Sequence, residues 1–242
     1  MDDQQLELGI RPLSARSVVL SLLLGAHPPE LPVSDLVRSV EPFGVSDATL
    51  RVALTRMVAA GDLERTDSTY RLSDRLRQRQ LHQDEAIRPQ TVPWSGEWEL
   101  AIITATGRSA AERSELRSML TSLRLAELRE GVWLRPANLE RAWPQQVDAV
   151  AQRLTARPDK ADADLVSTLW ELDSWADTGR KLLQAFVTTD APDRRFVIAA
   201  ATVRHLLTDP ALPKPLMPVG WPADRLRDVY DDYRAELTAL AR

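Results

Sequence analysis

The spacing of apolar positions changes once within residues 46–73, and the change predicts two kinds of structure in succession. Leu50, Ala53, Leu54, Met57 and Val58 recur as one face of a helix. Ser46 stands where an N-cap belongs and Gly61 where a left-handed C-cap belongs. Beyond Gly61 the period falls to two. Asp62 to Thr66 and Thr69 to Ser73 alternate around Asp67-Ser68, which predicts a small hairpin. Upstream, Ser14 is placed to cap a helix from Ala15 to Leu24 that ends at Gly25. Ser34 is placed to cap a second, Asp35 to about Glu41, with Leu36, Val37 and Val40 as its apolar side. Pro42 to Val45 turn the chain into the third helix. Helix, helix, turn, helix and hairpin are the parts of a winged helix-turn-helix. Residues 74–87 add a helix with Leu76, Leu81 and Ile87 as sparse apolar positions.

The Pro- and Gly-containing stretch Arg88 to Gly96 reads as a connector, so the first domain is expected over 11–87. A second is expected over 94–172. Trp98 to Thr104 reads as a buried strand, and Ser109 opens a helix with Leu116, Met119, Leu120 and Leu123. Leu125 to Leu128 and Val132 to Leu134 flank Arg129-Glu130-Gly131 as a hairpin. Val147, Val150, Ala151 and Leu154 mark a second helix, and Asp164 to Leu172 a closing strand. The order βαββαβ is the ferredoxin-like arrangement. Residues 173–242 read as helical: Trp175 to Val187, Asp193 to Leu207, a Pro-rich connection over 209–222, and Ala223 to Ala241. The last helix carries the stripe Leu226, Val229, Tyr230, Tyr233, Leu237 and Leu240, suited to core packing or to a dimer contact. The fold class expected is α+β.

Composition narrows the function. A chain of 242 residues without cysteine has no disulfide, thiolate metal site or cysteine nucleophile. No run approaches the roughly 18 apolar residues of a membrane span. The acidic start, MDDQQLELGI, lacks the apolar centre of a signal peptide, so a cytoplasmic location is expected. The net charge is −4, yet between positions 50 and 80 seven arginines stand against four acids. Within that stretch Thr49, Arg51, Thr55 and Arg56 fall on the outer face of the third helix. With Ser46 at its start and Arg71 in the wing, they are the candidate DNA-binding residues, able to reach phosphates and base edges of a duplex operator.

Catalytic signatures are missing. His27, His82 and His205 have no metal-ligand partner at a recognisable spacing, and neither a Gly-rich phosphate loop nor a G-x-S-x-G elbow occurs. Asp173 and Asp177 read as a helix cap and a solvated face rather than an acid/base pair. No cofactor, no metal and no enzymatic activity are expected.

The stretches ARSVVLSLLLG (15–25), EPFGVSDATLRVALTRMVAAGDLER (41–65), WSGEWELAIIT (94–104), LREGVWLRPANL (128–139), LWELDSWADTGRKLLQAF (169–186) and DPALPKPLMPVGWP (209–222) together resemble the PaaX family of bacterial repressors of phenylacetic acid catabolism. The resemblance implies an N-terminal winged helix, a central ferredoxin-like domain similar to Cas2, and a C-terminal helical domain. It also implies a homodimer that represses a catabolic operon and leaves DNA on binding an aryl-CoA thioester such as phenylacetyl-CoA. The wing, DLERTDSTYRLS, is shorter and more acidic than is usual for the family. Trp133, Trp170 and Trp175 could hold an aromatic acyl group or an adenine ring, and Arg135, Arg180 and Arg204 could pair with coenzyme A phosphates, between the middle and C-terminal parts. Core packing is the competing reading of those tryptophans. The dimer contact is expected in the C-terminal half, through Tyr230 and Tyr233. Two other functions stay open. One is a metal-dependent nuclease built on the Cas2-like domain, although the first strand runs into Thr104-Ala105-Thr106-Gly107 without an acid. The other is an adaptor whose winged helix binds protein.

Overall fold

The computed structural model describes residues 14–240, so the N-terminal stretch read above as lacking a leader, and the proposed start of the first domain at residue 11, lie outside the described residues. The chain divides into two units. One comprises Met1–Ile87, Gly179–Leu206 and Ala223–Arg242, and the other Arg88–Thr178 with Leu207–Pro222. The C-terminal helices are therefore shared between the two units.

The N-terminal unit opens with α1 (Ala15–Gly25), where Ser14 accepts from the Ser17 amide and Ser17 returns the bond in a capping box. Strand β1 (Glu30–Pro32) leads directly into α2 (Val33–Val40). Ser34 does not cap this helix. The N-cap position falls on Pro32, and the Ser34 hydroxyl donates to Asp35 instead. The reason is β1 itself: its pairing with a later strand holds the backbone extended up to Pro32, and the helix starts two residues earlier than expected. A 3₁₀ turn, Glu41–Phe43, ends at Gly44 in the left-handed region (φ 69°) and delivers the chain to α3 (Asp47–Ala59). The hairpin follows as β2 (Leu63–Thr66) and β3 (Thr69–Leu72), and α4 (Asp74–Ile87) closes the segment. The three strands form an antiparallel sheet in the order β1-β3-β2. Helix, strand, helix, helix and hairpin is the winged-helix order.

The core of this segment is what the helical spacing predicts. Leu50, Leu54 and Met57 of α3 are buried against Val18, Val19 and Leu23 of α1 and Leu36 and Val40 of α2. Each such side chain contributes about 1.5–3 kcal/mol by leaving water. Val58, expected on the same face, is exposed. Gln80 of α4 is buried, and its amide donates to the carbonyls of Leu24 (2.7 Å) and Ala26 (3.0 Å), satisfying the free end of α1.

In the middle unit β4 (Trp98–Ile103), α5 (Ala110–Ser122), β5 (Ala126–Arg129), β6 (Val132–Pro136), α6 (Gln145–Asp148) and β7 (Ala151–Ala156) follow in the order βαββαβ. The sheet is antiparallel throughout, in the order β5-β6-β4-β7, which places the first strand beside the third and the fourth. This is the ferredoxin-like sheet, and the α+β class holds. Its last two elements differ from the expectation. Residues predicted as the second helix form one short helix and then β7, which pairs with β4 from Ala151↔Ile103 to Trp98↔Ala156. Only Ala151 of β7 is buried, so this edge strand has no alternating apolar face to read, and its chance i, i+3, i+4 spacing mimics a helix. The predicted closing strand is a helix, α7 (Asp162–Leu169). Asp162 and Asp164 sit in its first turn, where the helix dipole favours them, and the Trp98 indole donates to Asp162 (2.7 Å).

The rest of the chain is α8 (Leu172–Thr188), α9 (Pro192–Leu206) and α10 (Ala223–Leu240). Tyr230 and Tyr233 of α10 are buried within their own unit. The Tyr233 ring tilts on Phe186 at 6.1 Å, and the Arg234 guanidinium lies over Tyr230. Burial pushes both hydroxyls above the usual tyrosine range. The stripe packs inward, so these two side chains are not available as a dimer surface. The Leu240 side chain lies outside the described residues.

Candidate nucleic-acid interface

The face of α3 turned away from its core is set by two local devices. At its start, the Ser46 hydroxyl accepts from the Thr49 amide (3.2 Å) and shares a hydrogen bond with the Thr49 hydroxyl (2.9 Å). At its end, Gly61 takes φ 69°, and the Asp62 amide donates back to the Met57 carbonyl (2.9 Å), releasing the chain into β2. Between them, Leu50, Leu54 and Met57 fix the rotation of the helix about its axis. Ser46, Thr49, Arg51, Thr55 and Arg56 are all exposed.

Their side chains differ in how far they are already engaged. Arg51 pairs with Asp47 one turn earlier (Nε–Oδ2 3.0 Å) and remains 61% exposed. Thr55 donates back to the Arg51 carbonyl (2.9 Å). Arg56 has no ion pair among the described residues. In the wing, Arg71 meets Glu64 directly across the β2–β3 register (2.6 Å), and Arg65 curls back to the Asp67 carbonyl (2.8 Å) with its guanidinium over Tyr70. The wing therefore spends its arginines on itself, whereas α3 keeps one uncommitted.

A buried carboxylate holds these parts together. Asp62 receives Arg16 of α1 on one oxygen and Arg75 of α4 on the other, both at 2.7 Å. The Arg16 hydrogen bond, opposed by burial and aided by Arg75, keeps this carboxyl below the usual aspartate range. In the sequence alone Asp62 is one acid among arginines. Its place between a C-capping Gly and the first wing strand is the signal that could have marked it. Val52, at the centre of the exposed face and 51% exposed, carries no polar group that would mark it in the sequence. A cleft of about 620 Å³ lies between this face and the start of α1, lined by Ser14, Arg16, Thr49, Val52 and Arg56 among others.

The six residues expected to hold an effector are divided between the two units. Arg180 and Arg204, both exposed, belong to the N-terminal unit and the other four to the middle unit. Within the middle unit Trp133 is buried in one apolar cluster with Leu116 and Leu120, and Trp170 packs on another around Trp98 and Leu165. Trp175 stacks on Trp221 at 4.4 Å, and its indole donates to Thr208 (3.0 Å). Arg135 is fully buried. Its guanidinium donates to the carbonyls of Arg124 (3.4 Å), Pro136 (3.1 Å), Pro210 (3.2 Å) and Ala211 (3.1 Å) and to the Asn138 side chain (2.8 Å). Burial, helped by the nearby Arg141 and opposed by Glu99, pulls its pKa down to about 9, so it remains a cation at neutral pH. With its donors already bonded and no exposed surface, it cannot receive a coenzyme A phosphate, and that assignment is corrected. Strand β6 is covered on both faces, which is why an arginine on it could not be read as exposed or buried from alternation.

Among the described residues no group of three or more His, Asp or Glu is placed to hold a metal ion, and no helix is long and apolar enough to cross a membrane.

Three consecutive stretches match known family descriptions: PaaX-like protein over residues 14–76, PaaX protein central Cas2-like domain over 91–162, and PaaX-like protein C-terminal domain over 165–242. Among solved structures, the uncharacterized protein Rv0674 from Mycobacterium tuberculosis is similar. It shares 49% identity and a TM-score of 0.87, with 94% of this chain and 97% of that chain covered. No curated protein matches.

Proposed function

Because this chain belongs to the PaaX-like protein family, matched in all three of that family's regions, we propose that it is a DNA-binding repressor of a catabolic operon, relieved by an aryl-CoA. Family membership supports the broader statement, a transcriptional regulator of phenylacetate catabolism. The observation that carries the DNA-binding part is the exposed face of α3, capped by Ser46, carrying an uncommitted Arg56 and followed by a hairpin wing. A helix held this way can lie in a major groove, with its N-terminal residues and arginines on bases and phosphates. In this reading Ser46, Thr49, Arg51, Thr55 and Arg56 contact the operator, Arg71 contributes less because Glu64 holds it, and the protein works in the cytoplasm. A single winged helix spans few base pairs, so the reading includes a homodimer on a two-fold operator. An effector lowers operator affinity by preferring the DNA-free state. A 100-fold effect needs a coupling of about 2.7 kcal/mol. Trp170 and Trp175 remain the aromatic candidates for its acyl group. Trp133 and Arg135 do not, because both are buried in their own unit.

The test is fluorescence anisotropy on duplex DNA from upstream of the protein's own gene, across a salt series, with and without phenylacetyl-CoA, benzoyl-CoA or coenzyme A. Specific binding that falls with salt and with one thioester is expected. Binding no tighter than to unrelated duplex removes the repressor reading. Specific binding that no thioester shifts up to millimolar concentration removes the effector half alone.

A further inference from the structure

The outer face of α3 carries a side chain that phosphate binding does not need. Leu50, Leu54 and Met57 anchor the helix, and at 3.6 residues per turn Val52 falls almost opposite to them. It is 51% exposed. Its neighbours on that face are the small Ala48 four residues before and the polar Thr49 three before, Thr55 three after and Arg56 four after. Val52 thus gains little from its own core, yet it sits at the centre of the surface that would enter the groove. The cleft in front of it, about 620 Å³, also presents Thr49 and Arg56, so an apolar group entering there meets Val52 with a cation and a hydroxyl at its border.

The major groove of DNA offers one apolar group, the C5-methyl of thymine, beside acceptors that arginine and threonine can reach. Arg56, without an ion pair among the described residues, leads the positive charge of this face, and Arg51 and Arg16, both more than half exposed, are held in part by Asp47 and Asp62. We propose that Val52 is a specificity residue that reads a thymine C5-methyl, with Thr49 and Arg56 engaging the flanking base edges or phosphates. This rests on the DNA-binding reading above. Val58, also exposed, lies round the helix toward Arg51 and is not needed for it.

The full-length protein is used to select duplexes from a randomised library. In the tightest duplex each thymine is then replaced in turn by deoxyuridine, which keeps every hydrogen-bonding group and removes only the methyl. At one position or its two-fold mate, the replacement should weaken binding about four-fold, the worth of one buried methyl. Val52→Ala should weaken binding to the thymine duplex by a similar factor, lose the deoxyuridine penalty at that position, and melt at the wild-type temperature. Selected duplexes whose binding is indifferent to every deoxyuridine, or a Val52→Ala variant that keeps the penalty, would overturn the assignment while leaving DNA binding intact. Failure to select any duplex would instead remove the DNA-binding reading, and this inference with it.

Discussion

Arg135 in the middle unit and Arg56 in the N-terminal unit present the same guanidinium to opposite surroundings. Arg135 is fully buried and its donors end on four carbonyls and an amide oxygen, two of those carbonyls from the Pro-rich segment near Pro210. Arg56 is exposed on a capped helix and has no ion pair among the described residues. A guanidinium with every donor bonded inside the fold is a strut. A guanidinium with its donors in water is available to an outside anion, at little cost in desolvation. The molecule's arginines sort along this axis, with Arg71 and Arg51 between the extremes because Glu64 and Asp47 hold them in part.

The largest effect is expected where the strut is removed. Arg135→Ala leaves the Pro210 carbonyl and the Asn138 side-chain oxygen buried without this donor, and the Ala211 carbonyl with the Asn138 amide alone. Removing one member of such a buried charged network costs about 3–5 kcal/mol. Urea unfolding followed by tryptophan fluorescence should show a transition at markedly lower denaturant, since Trp98, Trp133 and Trp170 report on this unit. An unchanged midpoint would mean that Arg135 is not the strut described.

Next in size is Asp62, which ties α1, the wing and α4 through Arg16 and Arg75. Its replacement by Asn removes two charge-assisted bonds around a buried group and should cost about 1.5–3 kcal/mol at neutral pH. The sign with pH follows from its lowered pKa. The folded protein binds this proton less readily than the unfolded chain, whose value is near 3.8. The contribution is therefore complete above that unfolded value and is lost as pH falls through the folded one. The gap between wild type and Asp62→Asn should narrow below about pH 5. A gap that persists through strong acid would show that the bonds do not depend on the carboxylate charge.

The legibility of the two regions differs for the same reason as their arginines. In the N-terminal unit the informative features are local. Ser46 caps within one turn, Gly61 ends the helix at a left-handed residue, and the hairpin turns on two residues. What was not legible there is β1, three residues whose extended state exists only because β3 pairs with them. In the middle unit the last strand and the following helix exchanged places with their predictions, because β7 is made a strand by β4 and not by its own pattern. Arg135 was misplaced likewise, since its partners at 210 and 211 are some 75 residues away in the chain. On the candidate interface the capped helix and its arginines were legible. Val52 was not, because its role follows from being exposed, which spacing alone left open.

Among the arginines of α3 the order should follow their freedom. Arg56→Ala should weaken specific binding by about 1–3 kcal/mol if it meets a base, or lower the salt slope by about one if it meets a phosphate. Arg51→Ala should do less, because binding must first draw Arg51 away from Asp47. The measurement is affinity against salt for both variants on the same duplex. A larger loss for Arg51 than for Arg56 would reverse the ranking and with it the rule drawn from their partners.

The smallest effect concerns the wing, and it sharpens the comparison by adding freedom instead of removing it. Glu64 faces Arg71 across the register and holds it at 2.6 Å, with both side chains more than two-fifths exposed. A surface pair of this kind contributes about 0–1 kcal/mol to folding, so Glu64→Gln should leave the melting temperature nearly unchanged. For DNA it removes a negative charge and leaves Arg71 without its ion pair. Affinity should then rise, by at most about ten-fold, and the salt slope should steepen by about one as Arg71 takes up a phosphate. Arg71→Ala in the wild-type background should change little, because that charge is already neutralised within the wing. If Arg71→Ala alone lowers affinity as much as Arg56→Ala does, the Glu64 pair opens readily on DNA. Engagement in the free protein would then be no guide to which arginines bind.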